Sequence, residues 1–274
     1  AQWQIDRSFI LDSLNKKMFS TANVPYKIRN DEKILKDPKN TIDFDHALHQ
    51  KIMNDVIKIG TDARLVLDQD QVVHVSMAEK LLVIQLSKLS NFIPDGGIWL
   101  NTQRPEWNDA NNALVGYGVS MVTLYYLNRH ISFINKVLTD VNETEFEISN
   151  EVLAWFRATK ETYEKYSPIV NERLDAVERK TFVQELQKLF SNYRQKTYNK
   201  SSSGRDKIKV IDIINFNNLV LAHFENSIKN NYKDSLYSAY NTINIDNSDK
   251  INVTSLYSML EGQVSALSLS LIHI

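Results

Sequence analysis

"VSMVTLYYL" (residues 119–127) and "IKVIDIINFNNLVLA" (residues 208–222) are apolar around nearly their whole circumference when wound as helices. Such a helix must be covered on most sides, whereas a surface helix keeps a single apolar stripe. Residues 169–197 have the second pattern, with Val170, Leu174, Val177, Phe182, Leu186, Leu189 and Phe190 on one stripe and charges elsewhere. Inner helices at 119–127 and 208–222, backed by an outer helix at 169–197, predict a double layer of helical hairpins, closed as a toroid or extended as a solenoid. No internal repeat of fixed period is visible, which weighs against the solenoid.

Working outward, seven glycines and five prolines are few for this length, and apolar residues recur at three- and four-residue spacing. That combination predicts a mainly α chain. The expected helices span 43–59, 76–90, 117–138, 147–165, 169–197, 207–228 and 253–267. Between the first two, "TDARLVLDQDQVVHVS" (residues 61–76) sets β-branched runs around a polar turn and predicts a short hairpin.

With 32 basic and 33 acidic residues the net charge is −1, so no global field attracts nucleic acid or an anionic membrane. Without cysteine there is no disulfide, thiolate metal site or cysteine nucleophile. No apolar run approaches the roughly 18 to 20 residues of a membrane span. Residues 1–20 lack a basic-then-apolar leader and the chain does not begin with methionine. The compartment therefore stays open, with the cytoplasm ahead of the periplasm. The terminal Leu269-Ser270-Leu271-Ile272-His273-Ile274 is the translation of a common sequencing-adapter end, so residues 1–268 are taken as the biological part.

Residues 91–118 hold the chemistry. Pro94, Gly96, Gly97, Pro105, Gly116 and Gly118 punctuate a connection longer than the roughly 12 to 15 residues usual in a compact domain, and such connections are functional or disordered. Phe92, Ile93, Ile98, Trp99, Leu100 and Trp107 supply too much apolar surface for a solvated linker. The contents suit a sugar site: indole faces pack on the C–H faces of a pyranose, and amides with a guanidinium serve its hydroxyls. Glycosyl transfer also needs a carboxylic acid to protonate the departing oxygen, and Asp109 and Glu106 are available, with Asp95 close by in sequence. The competing structural reading has Asp109 or Asn112 capping the next helix and Arg104 paired with Glu106.

Trp107-Asn108-Asp109, then Asn112 and Val115-Gly116, resembles the Trp-Asn-Asp-x-x-Asn-x-Val-Gly signature of cellobiose-phosphorylase-like enzymes, with one additional residue, Leu114, and Ala110 in place of the common glycine. Residues 91–130 are also similar to bacterial proteins described as six-hairpin glycosidase-like. The resemblance implies an (α/α)6 toroid, incomplete here, with Asp109 as general acid. It further implies Trp107 as a stacking wall, Arg104 and Asn108 as sugar ligands, Glu106 as a further ligand or the partner of Arg104, and Asn112 as fixing the loop or the helix start. An inverting hydrolase needs a second carboxylate across the sugar, and Glu261, flanked by Leu260, Val264 and Leu267, is the candidate base. The expected function is an inverting glycoside hydrolase acting on an oligo- or polysaccharide, as a piece of a larger enzyme whose remaining chain would complete it. The alternatives are a phosphorylase of the same fold, or a non-catalytic helical carbohydrate-binding scaffold. No cofactor is expected.

Other signals in the sequence are weaker. His46 and His49, near Asp43 and Asp45, lack a clear third ligand, so no metal is expected. "NKSSSGRDK" (199–207) lacks the lysine and strand context of a phosphate-binding loop. Asn142, Asn199 and Asn252 begin glycosylation triplets that short motifs match by chance.

Overall fold

The computed structural model describes residues 6–101, 114–167, 173–198, 203–245 and 249–270. In chain order the helices are α1 (Arg7–Asn15), α2 (Asp31–Lys36), α3 (His46–Ile59), α4 (Met77–Leu89), α5 (Met121–Thr139), α6 (Asn150–Lys165), α7 (Ala176–Tyr198), α8 (Val210–Asn230) and α9 (Leu260–Ser270). The strands are β1 (Tyr26–Ile28), β2 (Ile42–Phe44), β3 (Leu67–Asp68), β4 (Gln71–Val72), β5 (Phe92–Ile93), β6 (Gly97–Trp99), β7 (Gly118–Ser120), β8 (Glu145–Ser149), β9 (Arg205–Lys209), β10 (Tyr232–Lys233), β11 (Leu236–Tyr237), β12 (Tyr240–Asn244) and β13 (Asn252–Ser255).

The toroid is not what the chain builds. A curled five-stranded antiparallel sheet, ordered β13-β12-β7-β6-β5, sits among the helices, and four two-stranded ribbons accompany it, so the class is mixed α/β. The resemblance to six-hairpin glycosidase-like and cellobiose-phosphorylase-like proteins is corrected with it. The physical reason lies where helices were expected to begin. Gly118–Ser120 is a strand fully buried on both faces, and only from Met121 does the chain wind into α5. A short, wholly apolar run cannot be assigned to strand or helix by periodicity. Ser120 makes the change of direction: it ends β7 and its side chain accepts from the Thr123 N–H at 3.0 Å, capping α5. In the same manner β8 runs straight into α6 and β9 into α8, with β8 and β9 paired from Glu145↔Lys209 to Ser149↔Arg205. At the C-terminal end, Asn252–Ser255 pairs with β12, and α9 starts later than the expected 253.

Other expectations from the pattern hold in part. Val119, Met121, Leu124, Tyr125 and Leu127 are buried, but Tyr126 and, in the second segment, Ile211 are exposed, so neither helix is covered all round; α7 buries Phe182, Leu186 and Phe190 from one stripe. Val177, read as part of that stripe, is exposed. Residues 61–76 contain the hairpin β3–β4, whose turn residues Gln69 and Asp70 both have positive φ, 47° and 63°, as a tight primed turn demands.

The core is aromatic. Phe92 packs edge-on to Phe182 and Phe224, and Tyr163 edge-on to Phe182, Phe216 and His223. His223 is buried on α8 with Nε2 3.2 Å from the Tyr163 carbonyl oxygen. Burial disfavours its cation and brings its pKa down to about 4 from 6.5, the carbonyl contact only partly opposing this. Between those values the unfolded chain binds a proton that the folded chain refuses. Stability is therefore intact above pH 6.5 and declines as pH falls towards 4, by roughly 3 kcal/mol for this residue. Urea unfolding of the parent and of His223→Gln between pH 7 and pH 4 checks this: the variant should lose less stability over that range, and equal losses would refute it.

Candidate functional site

A cavity of about 580 Å³ opens beside the β5–β6–β7 part of the sheet. That lies within the roughly 300 to 1,000 Å³ usual for small-molecule sites. The sheet contributes Ile98 and Trp99, the hairpin β1–β2 contributes Tyr26, Ile28 and Ile42, and Lys88, Thr123 and Tyr198 come from α4, α5 and α7. A second, apolar void near Leu82, Ile134 and Ile213, of about 20 Å³, holds at most a water-sized guest.

Each wall has an identifiable support. The Trp99 indole N–H donates to the Gly116 carbonyl at 2.9 Å, which satisfies a buried donor and sets the ring. Asn101 Nδ2 donates to Asn91 Oδ1 at 2.7 Å, and the same oxygen accepts from Gln187 Nε2 at 2.9 Å, so the amides at the floor are tied to α7. The Ile28 N–H donates to the Tyr198 hydroxyl oxygen at 3.0 Å, fixing the hairpin to the end of α7.

The two flanks of the polar segment are held together as a neck. Leu100 N–H donates to the Gly118 carbonyl at 2.9 Å and Gly116 N–H to the Leu100 carbonyl at 3.1 Å, extending the β6–β7 ladder. Gly116 has φ +86° and a Cβ there would lie 2.8 Å from the Pro38 carbonyl oxygen, so the neck requires glycine. Asn101 and Val115, on either side of residues 102–113, both line the cavity. Residues 102–113 lie outside the described residues. With them lie Arg104, Glu106, Trp107, Asn108, Asp109 and Asn112.

Two other carboxylates are placed. Asp95 is committed to structure: in the β5–β6 turn, at φ 63°, its carboxylate accepts from Arg179 Nη2 at 2.8 Å and from Asn230 Nδ2 at 2.7 Å. Glu261, in the first turn of α9, accepts from the Tyr240 hydroxyl at 2.8 Å and is exposed. Its neighbours Leu260 and Val264 are 78% and 56% exposed, so the apolar surroundings inferred from sequence are not a desolvated environment. Glu261 is not among the residues lining this cavity.

The acidic and histidine cluster near residue 45 is also accounted for. Asp45 caps α3 through the Leu48 N–H at 2.9 Å and pairs with Lys27, Asp43 pairs with Arg29, and His46 and His49 pack against the Phe44 ring. Hydrogen bonding to Lys27, then to the Leu48 N–H, lowers the Asp45 pKa. Among the described residues no group of three or more His, Asp or Glu side chains could hold a metal ion, and no helix is long and apolar enough to cross a membrane.

Sequence reasoning drew attention to Trp99 and Leu100 but missed Tyr26, Lys88, Asn91, Thr123 and Tyr198, which converge from separate elements. Asn91, two residues before Ile93 in the punctuated segment, was the one legible signal among them. No protein-family model matches the chain, and no curated protein does.

Proposed function

We propose that the cavity binds a carbohydrate and that a glycosidic bond is hydrolysed there, with Asp109 as proton donor. The observation that carries this reading is the neck: Asn101 and Val115, which flank the stretch bearing Arg104, Glu106, Trp107, Asn108 and Asp109, both line a large cavity. The lining suits the ligand. Trp99, Tyr26 and Tyr198 offer aromatic surface, while Asn91, Asn101 and Thr123 offer amides and a hydroxyl for sugar hydroxyls. Inversion needs a base about 6.5 to 9.5 Å from the acid. None of the described lining residues is a carboxylate, so Glu106 and Glu261 are the two candidates to test for that role.

Calorimetric titration with neutral α- and β-linked oligosaccharides, followed by NMR of the product anomer with and without phosphate, tests the reading. Binding of at least one glycan with phosphate-independent release of an inverted product is expected. Absence of glycan binding would overturn it. Binding without turnover would replace it by a carbohydrate-binding role, and strict phosphate dependence would replace hydrolysis by phosphorolysis.

A further inference from the structure

Among the described residues lining the cavity, Lys88 alone carries a charge. It stands in the last turn of α4, where an ammonium complements the helix dipole without any need to face a cavity. The cations on or beside the β1–β2 ribbon, which also lines the cavity, are each neutralised: Lys27 lies 2.7 Å from Asp45 and Arg29 lies 2.6 Å from Asp43. The Lys88 ammonium forms no hydrogen bond or ion pair among the described residues. Lys88 is solvent-accessible and lines the cavity, and desolvation lowers its pKa. A cation held in a concavity with amides and an indole, and without a counter-charge, is half of an ion pair.

We infer that the ligand of this cavity carries an oxyanion group, a carboxylate or a phosphate, that docks on Lys88. Resting on the carbohydrate reading above, this makes the preferred glycan acidic rather than neutral. Charge-assisted hydrogen bonds are about twice as strong as neutral ones, and the concave wall limits the water that would otherwise screen the pair. The neighbouring amides of Asn91 and Asn101 then serve hydroxyls that both acidic and neutral sugars share.

The test is a calorimetric comparison of three probes on the whole chain: a glucuronate-ended disaccharide, its glucose-ended neutral isostere and inorganic phosphate. The parent, Lys88→Met and Lys88→Arg are each titrated, with near-ultraviolet circular dichroism confirming that the variants are folded. The parent should bind the acidic disaccharide about tenfold or more tightly than the neutral one. Lys88→Met should erase that ratio, and Lys88→Arg should keep most of it. Equal affinities in the parent, or a ratio that survives in Lys88→Met, would overturn the inference. A carboxylate of this chain, Glu106 or Asp109, neutralising Lys88 would produce the former result. Phosphate bound in a Lys88-dependent manner with neither disaccharide bound would retain the anion subsite and remove the carbohydrate reading. Neutral-sugar binding alone would do the reverse.

Discussion

Replacement of Asp109 by Asn is expected to lower turnover of an unactivated glycoside by about two to four orders of magnitude, the usual contribution of a positioned proton donor. The loss should follow the leaving group. An aryl glycoside whose phenolate departs unaided needs no protonation, so its turnover should fall far less than that of an alkyl glycoside. The pH profile supplies an independent check. Asp109 must be protonated to act, so activity of the parent should fall as pH rises through its pKa in the substrate complex, and that basic limb should disappear in the variant. Steady-state kinetics with paired aryl and alkyl substrates decides the matter: equal losses for both would make Asp109 a structural residue of its loop.

The second large effect concerns Arg179, whose fork holds the turn below the cavity strand. Its Nε donates to the Pro94 carbonyl at 2.9 Å, Nη1 to Ile251 at 3.0 Å, and Nη2 to Leu174 at 2.9 Å and to the Asp95 carboxylate at 2.8 Å. Both members of the ion pair have side chains only 9% exposed. Removing one partner of a buried pair leaves a charge without compensation, and typically costs about 3 to 5 kcal/mol. Arg179→Met is therefore expected to lose stability on that scale in urea unfolding. Asp95→Asn combined with Arg179→Met should cost less than the sum of the two single changes, because the second change removes the charge stranded by the first. Strict additivity would show that the pair is not coupled. Arg179→Lys should not rescue, since an ammonium cannot serve four acceptors disposed around a planar fork.

How much of this was legible in the sequence depends on length scale. Long amphipathic or apolar helices declared themselves, and Val119, Met121, Leu124, Tyr125 and Leu127 are buried, although Tyr126 between them is exposed. The sheet did not, because β5, β6 and β7 are two or three residues long and fully buried on both faces. They lack the alternation that marks a half-exposed strand. With β7 inside the helix expected at 117–138, and β5 and β6 inside the connection 91–118, a double helical layer is the natural reading, and the short motif around Trp107 reinforces it. The cavity was legible only through the segment at its neck. Lys88 reads, from sequence, as an ordinary cation near a helix end, and Tyr26, Thr123 and Tyr198 acquire meaning only when folding brings them to one wall. Glu261 shows the opposite failure: apolar neighbours in sequence became exposed neighbours in space.

The clasp around Asp95 also sets an order of events during synthesis. The partners of this turn lie far downstream: Arg179 is 84 residues away, Asn230 is 135, and Asn241, which donates to the Gly96 carbonyl, is 145. Contacts of such separation form late, because a long loop must close before they are rewarded. A nascent chain arrested before Asn230 would possess the strand bearing Trp99 and Arg179, but neither Asn230 nor Asn241, which complete the clasp of its turn. Ribosome-bound chains of increasing length should therefore acquire protease resistance near Trp99 only after Asn241 has left the exit tunnel, so that the ligand cavity is among the last parts of the molecule to take shape.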